Sequence, residues 1–164
     1  MRVYTTIEQA QQLPCYHRQI IPKDYLDVMG HMNVRYYMAL FDEGGWSFFR
    51  ALGMDEAYYR DNNAGGFALR QYITYVAEAR VNETVAVHTR IIARSDKRIH
   101  FVHFLVNESN QTVSATMEGI GSHADLTQRR TSPYPLHIVA KMDAMLSEHN
   151  ALEWDAPLCG ILEP

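Results

Sequence analysis

The residues best suited to chemistry lie close together, ahead of a long apolar segment: Asp27, Gly30, His31 and Asn33. Asn33 is a good helix N-cap, and Gly30 lets the chain reverse, so Asp27 can approach the unpaired N–H groups of the first helical turn. An ionised carboxylate beside an anion-binding helix end suggests acyl transfer or hydrolysis. The alternative for Asp27 is a turn residue that hydrogen-bonds its own loop.

The elements that position these residues follow from the hydrophobic periodicity. Apolar residues recur at helical spacing from 33 to 52 and predict a helix roughly 30 Å long, in which the Gly44-Gly45 pair indicates a very close neighbour. After a loop predicted at 62–66, the period changes to two, which is typical of strands joined by hairpins. The predicted strands are 67–79, 84–94, 98–107 and 112–123, preceded by one at about 16–21, and further helices are predicted at 55–60 and 136–149.

This order predicts an α+β fold in which one antiparallel sheet wraps around the long helix. With 47% apolar residues, the chain suits a single domain over 1–164, with its core at 16–135 and a C-terminal helix and tail at 136–164. The net charge of −4 provides no basic field for nucleic acid. No apolar run reaches the roughly 20 residues of a membrane span, and the start of the chain lacks a signal-peptide pattern. We therefore expect a cytoplasmic protein with neither a nucleic-acid partner nor a membrane.

The histidines and cysteines do not predict a metal site. Cys15 and Cys159 stand near opposite ends of the chain without a CxxC partner. His100 and His103 have odd spacing on a predicted strand, so their side chains should point to opposite faces. We expect neither a metal nor another cofactor.

The pattern Asp27-x-x-Gly30-His31-x-Asn33-x-x-Tyr36 resembles the active-site motif of the hydroxybenzoyl-CoA thioesterase-like group of the hot-dog superfamily. The segments 73–80 and 125–135 are also similar to that group, so the resemblance covers about 16–135. It implies a five-stranded antiparallel sheet around a central helix and hydrolysis of acyl-CoA thioesters. It also implies an active site at a subunit interface, and we therefore expect a homodimer or a homotetramer.

The resemblance assigns Asp27 as base or nucleophile and the backbone N–H groups near Val34 as the oxyanion site. An ionised aspartate can activate water or attack a thioester directly, and the sequence leaves both routes open. His31 and Asn33 are further candidates for the chemistry, although a histidine beside a helix start also suits a structural hydrogen bond. Glu43 stands where another hot-dog branch places its carboxylate, and its alternative is a solvated helix face.

Residues that bind the substrate are predicted at two places. Gly30 and Tyr36 match family positions beside the catalytic carboxylate, and Tyr36 is a candidate to line the pocket. Arg98, Arg129 and Arg130 are candidates for the phosphates of coenzyme A, because the arginine fork matches phosphate oxygens. The Arg129-Arg130 pair is preferred, since it follows the last predicted strand.

Three alternatives to an acyl-CoA thioesterase follow from the same residues. A hot-dog domain that binds acyl-CoA without hydrolysing it is the first, because a fold does not guarantee activity. A hot-dog hydratase would need an acid/base pair, and its usual Asp-x-x-x-x-His pattern is missing. A transcription regulator would need a helix-turn-helix segment, and the sequence indicates none.

The run 21–32 is also similar to thioesterases of carnitine breakdown, whose betainyl-type substrates carry a quaternary ammonium that an aromatic cage can hold.

Overall fold

The computed structural model describes residues 5–164. The first four residues, part of the segment from which no signal peptide is expected, lie outside this range. Residues 5–164 contain five long strands and four α-helices. As the sequence predicts, one strand precedes the long helix and four strands follow it. The strands are β1 (Cys15–Ile20), β2 (Ala64–Tyr75), β3 (Thr84–Arg94), β4 (Arg98–Asn107), β5 (Thr112–Asp125) and the short β6 (Arg130–Thr131). The helices are α1 (Ile7–Ala10), α2 (Val34–Ala51), α3 (Glu56–Asp61) and α4 (Leu136–Asn150), with a 3-10 turn at Lys23–Tyr25.

The strands form one antiparallel sheet in the order β1-β3-β4-β5-β2, with β6 added to β5. The sheet curls around α2, whose buried side chains form the main core with the inner face. This architecture confirms the hot-dog fold expected from the sequence. β2 lies at one edge of the sheet, where most of its side chains are exposed on both faces.

The long helix begins and ends as its sequence predicts. The side chain of Asn33 caps it by accepting a hydrogen bond from the Arg35 N–H at 3.2 Å, and Gly53 follows with φ +94°. Gly44 faces β3 so closely that a Cβ there would lie 2.5 Å from Cγ1 of Val87. The expected close neighbour of the glycine pair is therefore β3.

The predicted boundaries of β2 were wrong at both ends. The loop expected at 62–66 belongs partly to the strand, because Gly65 and Gly66 pair with Ala124 and His123. A Cβ on Gly65 would lie 2.7 Å from the Leu126 side chain, so packing selects the glycine there rather than flexibility. At the other end the strand stops at Tyr75, and residues 76–79 turn toward the start of α2.

The C-terminal tail covers the outer face of the sheet, where sequence periodicity predicts nothing. Trp154 packs with α1 and the outer side chains of β4 in a second apolar cluster. Arg90 of β3 is buried beneath it, donating to the carbonyl oxygens of Trp154 at 2.6 Å and His149 at 3.0 Å. In the described part of the chain, no helix has both the length and the hydropathy needed to cross a membrane.

Candidate active site

A tight turn ahead of α2 presents Asp27. Gly30, with φ +82°, donates its N–H to the Asp27 carbonyl oxygen at 3.1 Å, and the Asp27 N–H donates to the His31 carbonyl oxygen at 3.0 Å. The Met29 N–H donates to Oδ1 of Asp27 at 2.8 Å, which fixes one carboxylate oxygen. Asp27 can therefore stabilise the turn with Oδ1 and still take part in chemistry with Oδ2, which this hydrogen bond leaves free.

His31 lies between two carboxylates. Its Nε2 is 3.4 Å from Oδ2 of Asp27, and its Nδ1 is 3.4 Å from Oε2 of Glu78. Arg80 donates from Nε to Glu78 at 3.0 Å, and this contact lowers the pKa of Glu78 below its ordinary value. An ionised Glu78 can therefore orient the imidazole toward Asp27.

Glu78 is the site residue that sequence reasoning missed. It lies in the stretch that resembles the family, but its position on a predicted strand suggested no contact with His31. The chain leaves the sheet before Glu78, and the Met32 N–H donates to the Ala79 carbonyl oxygen at 2.7 Å. This hydrogen bond ties the segment after β2 to the Asp27 turn and brings the two carboxylates to one imidazole.

The first turn of α2 provides backbone donors beside this group. Asn33 uses its side chain for Arg35, while its own N–H donates to the Tyr25 carbonyl oxygen at 2.9 Å. The Val34 N–H has no acceptor among the described residues, and the Val34 side chain is exposed. A free N–H at a helix N-terminus is suited to an oxyanion.

Two other candidate residues, Tyr36 and Glu43, form no hydrogen bond with Asp27 among the described residues. The Tyr36 ring stacks on Tyr25 at 3.9 Å between centroids, and Arg35 lies over it at 4.7 Å. Tyr36 does not line the cavity described below. Glu43 is exposed on α2, as the solvated-face interpretation expects.

A cavity of about 520 Å³ lies between α2, the first half of β2 and the inner face of β4 and β5. Its wall is mainly apolar, and Asp42 borders it on the helix side. Burial raises the pKa of Tyr59 to about 12, so this phenol stays neutral and acts as an apolar wall with a hydrogen-bonding tip. Seven aromatic side chains line the cavity: Phe41, Trp46, Phe49, Tyr59, Phe67, Phe101 and Tyr134.

The candidate arginines lie far from Asp27 within one chain. Arg130 and the first residue of β2 both pair with Asp125, whereas the catalytic turn lies beyond the last residue of β2. Twelve strand residues therefore separate the two places, a distance of roughly 35 Å. Arg98 is at the same end as Arg130, since it pairs with Ser122. All three candidate arginines are exposed, and Arg129 has a left-handed φ of 54°.

The histidines of β4 face opposite sides of the sheet, as predicted. Nε2 of His100 forms a buried hydrogen bond with Oε1 of Glu118 at 2.8 Å on the outer face, while His103 faces α2. Over residues 5–164, no group of three or more His, Cys, Asp or Glu side chains is arranged to hold a metal.

Known proteins are similar to this chain in both sequence and structure. The sequence model described as "Thioesterase-like superfamily" matches residues 21–142. A betainyl-CoA thioesterase of Pseudomonas aeruginosa is 23% identical over 143 residues, which are 87% of this chain and 89% of that protein. An L-carnitine dehydrogenase/betainyl-CoA thioesterase of Rhizobium meliloti is 26% identical over 133 residues, which are 81% of this chain. The chain spans 26% of the length of that relative.

A solved structure agrees over nearly the whole chain. It is a hypothetical protein of Staphylococcus aureus in complex with CoA, with a TM-score of 0.83 and 19% sequence identity. The superposition covers 93% of this chain and 96% of that one. The fold around α2 is therefore shared.

Proposed function

Because the chain belongs to the thioesterase-like superfamily, we propose that it hydrolyses acyl-CoA thioesters and that Asp27 drives the attack. The observation that carries this proposal is the convergence of Asp27 and Glu78 on His31, three residues before α2 begins. Asp27 either removes a proton from the attacking water or attacks the carbonyl carbon itself. On the first route, water adds to the carbonyl carbon and the acyl–sulfur bond breaks, which releases the free acid and CoA. On the second route, the acyl–sulfur bond breaks as Asp27 forms an anhydride with the acyl group, and water then hydrolyses the anhydride to the free acid.

The helix end stabilises the charge that develops in this reaction. In the proposed mechanism the tetrahedral oxyanion accepts a hydrogen bond from the Val34 N–H, which is already aligned by the N-cap of Asn33. Losing one such donor typically costs about 100- to 1000-fold in rate. His31 supplies a proton to the departing thiolate while Glu78 holds the imidazole in place.

We propose that the active species is a homodimer built on the free edge of β2. Its exposed apolar side chains, including Phe67, Leu69 and Tyr72, form a surface that a second copy can cover. Antiparallel pairing of two β2 strands about a two-fold axis would reverse one strand against the other. The partner subunit's Arg129 and Arg130 would then approach Asp27, as would the partner's cavity.

The cavity favours an acyl group larger than the betainyl group named for the two relatives. A volume of about 520 Å³ lies within the roughly 300–1,000 Å³ range of pockets that enclose drug-sized ligands. A group of one methylene and a trimethylammonium would leave most of this space unfilled. Asp42 beside Trp46 would nevertheless suit a cation, so a trimethylammonium acyl-CoA belongs in the first substrate panel.

The test is the hydrolysis of short, long, aromatic and trimethylammonium acyl-CoAs, with free thiol as the readout, by wild type and Asp27→Asn. The substitution keeps an oxygen for the Met29 N–H and removes the charge, so turnover should fall by roughly 100-fold or more while acyl-CoA binding persists. Asp24→Asn and Glu43→Gln are the matched controls. Near-normal turnover in Asp27→Asn with an inactive Glu43→Gln would move the catalytic carboxylate onto the helix. Binding of acyl-CoA without any hydrolysis by wild type would favour the non-enzymatic alternative.

A further inference from the structure

A histidine that the proposed chemistry does not use lies at the wall of the cavity. His103 of β4 is 1% exposed and is surrounded by the rings of Phe41, Phe48 and Phe101. Burial among these rings lowers the pKa of His103 to about 3, so the imidazole is neutral at physiological pH. Its Nδ1 shares a hydrogen bond with Oγ1 of Thr89, directly opposite on β3, at 2.7 Å.

The other nitrogen of this imidazole is directed toward α2 and lacks a partner. Among the described residues, Nε2 of His103 makes no hydrogen bond. The helix residue in front of it is Gly45, and a Cβ there would lie 3.5 Å from Nε2. Gly45 and His103 both line the cavity. The missing side chain at 45 thus leaves space for a ligand group over the nitrogen.

Nε2 opens onto the cavity. An apolar acyl chain that fills the cavity would bury Nε2 without a partner, and this carries a free-energy cost. A ligand group that hydrogen-bonds to Nε2 avoids this cost. The Thr89 contact can hold either neutral tautomer, so Nε2 either donates or accepts. A hydroxyl group suits both cases, because it can both accept and donate a hydrogen bond.

We propose that His103 is a specificity-determining residue that selects acyl groups carrying an uncharged hydroxyl substituent, which hydrogen-bonds to Nε2 inside the cavity. This inference rests on the proposed function for its substrate, since it places the acyl chain in the cavity. Gly45 is the second element of the site, because it opens the approach to the nitrogen. A plain alkyl chain would fill the same space and leave Nε2 unpaired.

The experiment measures binding of CoA thioethers, which cannot be hydrolysed. An S-octyl-CoA is compared with analogues that carry one hydroxyl at successive positions along the chain, by isothermal titration calorimetry. Wild type should bind the best hydroxylated analogue at least about tenfold more tightly than the plain one, the scale expected for satisfying a buried polar group. The ¹⁵N shift of His103 Nε2 should change with that analogue and not with the plain one.

Three variants separate specificity from structure. The double change His103→Leu with Thr89→Val removes both partners of the buried hydrogen bond and should abolish the preference without leaving a hydroxyl unpaired. His103→Gln, which can offer an amide in a similar place, should keep part of it. Gly45→Ala leaves His103 unchanged but fills the space before Nε2, so it should also lower the preference. His17→Leu, on β1 away from the cavity, is the matched control and should leave it intact.

The outcomes distinguish this inference from the proposed function. Analogues that bind without a hydroxyl preference at any position overturn the role of His103 alone, as does a preference that survives the His103 and Gly45 variants. Absence of binding by every CoA analogue overturns both proposals. A preserved preference in a wild type that hydrolyses no acyl-CoA overturns the proposed hydrolysis and leaves the role of His103 in ligand selection intact.

Discussion

The separation of the arginines from Asp27 makes a prediction about which subunit binds coenzyme A. The double change Arg129→Ala with Arg130→Ala should raise KM for acyl-CoA and leave kcat nearly unchanged, because contacts remote from the carbonyl act as uniform binding. Both side chains are exposed, so each contact is worth about 0.7 kcal/mol, within the range of exposed ion pairs, and the pair should raise KM roughly tenfold. The effect should shrink in high salt.

A mixed dimer shows which subunit contributes the arginines. One subunit carries Asp27→Asn and the other carries Arg129→Ala with Arg130→Ala, so only the second subunit has a working carboxylate. If the arginines act across the interface, that carboxylate meets the intact arginines of its partner. The mixed dimer should then show half the wild-type kcat with the wild-type KM. Differently tagged subunits purified as a pair, assayed by thiol release, provide the measurement.

An increase of about tenfold in the KM of the mixed dimer would refute this reasoning, because it would place the arginines and Asp27 of one chain at the same site. An unchanged KM in the homodimer of the arginine variant, at low ionic strength, would remove these arginines from the coenzyme A site altogether. A strictly monomeric enzyme with full activity would refute the shared site itself.

Two further predictions concern stability. Gly45→Ala should raise Tm by about 2–4 °C, since alanine favours the helix by about 1 kcal/mol and its Cβ has room. Gly44→Ala should lower Tm, because its Cβ would overlap Val87. Thermal unfolding followed by circular dichroism compares the two variants, and equal shifts in Tm would contradict the packing argument. The pKa of His103 is lowered from 6.5 to about 3 on folding, so the unfolded chain binds the proton first as the pH falls. The free energy of unfolding is therefore unaffected by His103 above pH 6.5. Below that pH it should fall by about 1.4 kcal/mol per pH unit, until the pH nears 3. Urea unfolding at pH 7 and pH 5 should show a smaller loss in His103→Gln than in wild type, and parallel losses would contradict the assignment.

Local signals predicted the parts of the fold that depend on local interactions. The helix expected at 33–52 is α2 (Val34–Ala51), and the strands expected at 84–94 and 98–107 are β3 and β4 as observed. The start of β2 was missed because Gly65 and Gly66 have the composition of a loop. Both glycines pair with β5, and the Leu126 side chain leaves no room for a Cβ at position 65. These are contacts with residues distant in sequence, which no local pattern contains.

The same distinction separates the parts of the candidate site. Asp27, Gly30 and His31 form one turn, so their spacing alone predicts that they come together. Glu78 reaches His31 only because β2 ends early and the following segment bonds to Met32. The sequence periodicity extends the predicted strand to residue 79, and on such a strand Glu78 would not contact the turn.

The cavity depends even more on tertiary structure, and this is where substrate selection would arise. Gly45 comes from α2, His103 from β4 and Thr89 from β3, and none of the three is exceptional in its own segment. The helix can approach β3 because Gly44 lacks a side chain, and the next glycine then faces the imidazole across the remaining space. The Gly44-Gly45 pair therefore has two separate effects: the first glycine sets the depth of the helix, and the second leaves Nε2 accessible. A substitution at 44 should thus alter stability first, while one at 45 should alter which acyl group is preferred.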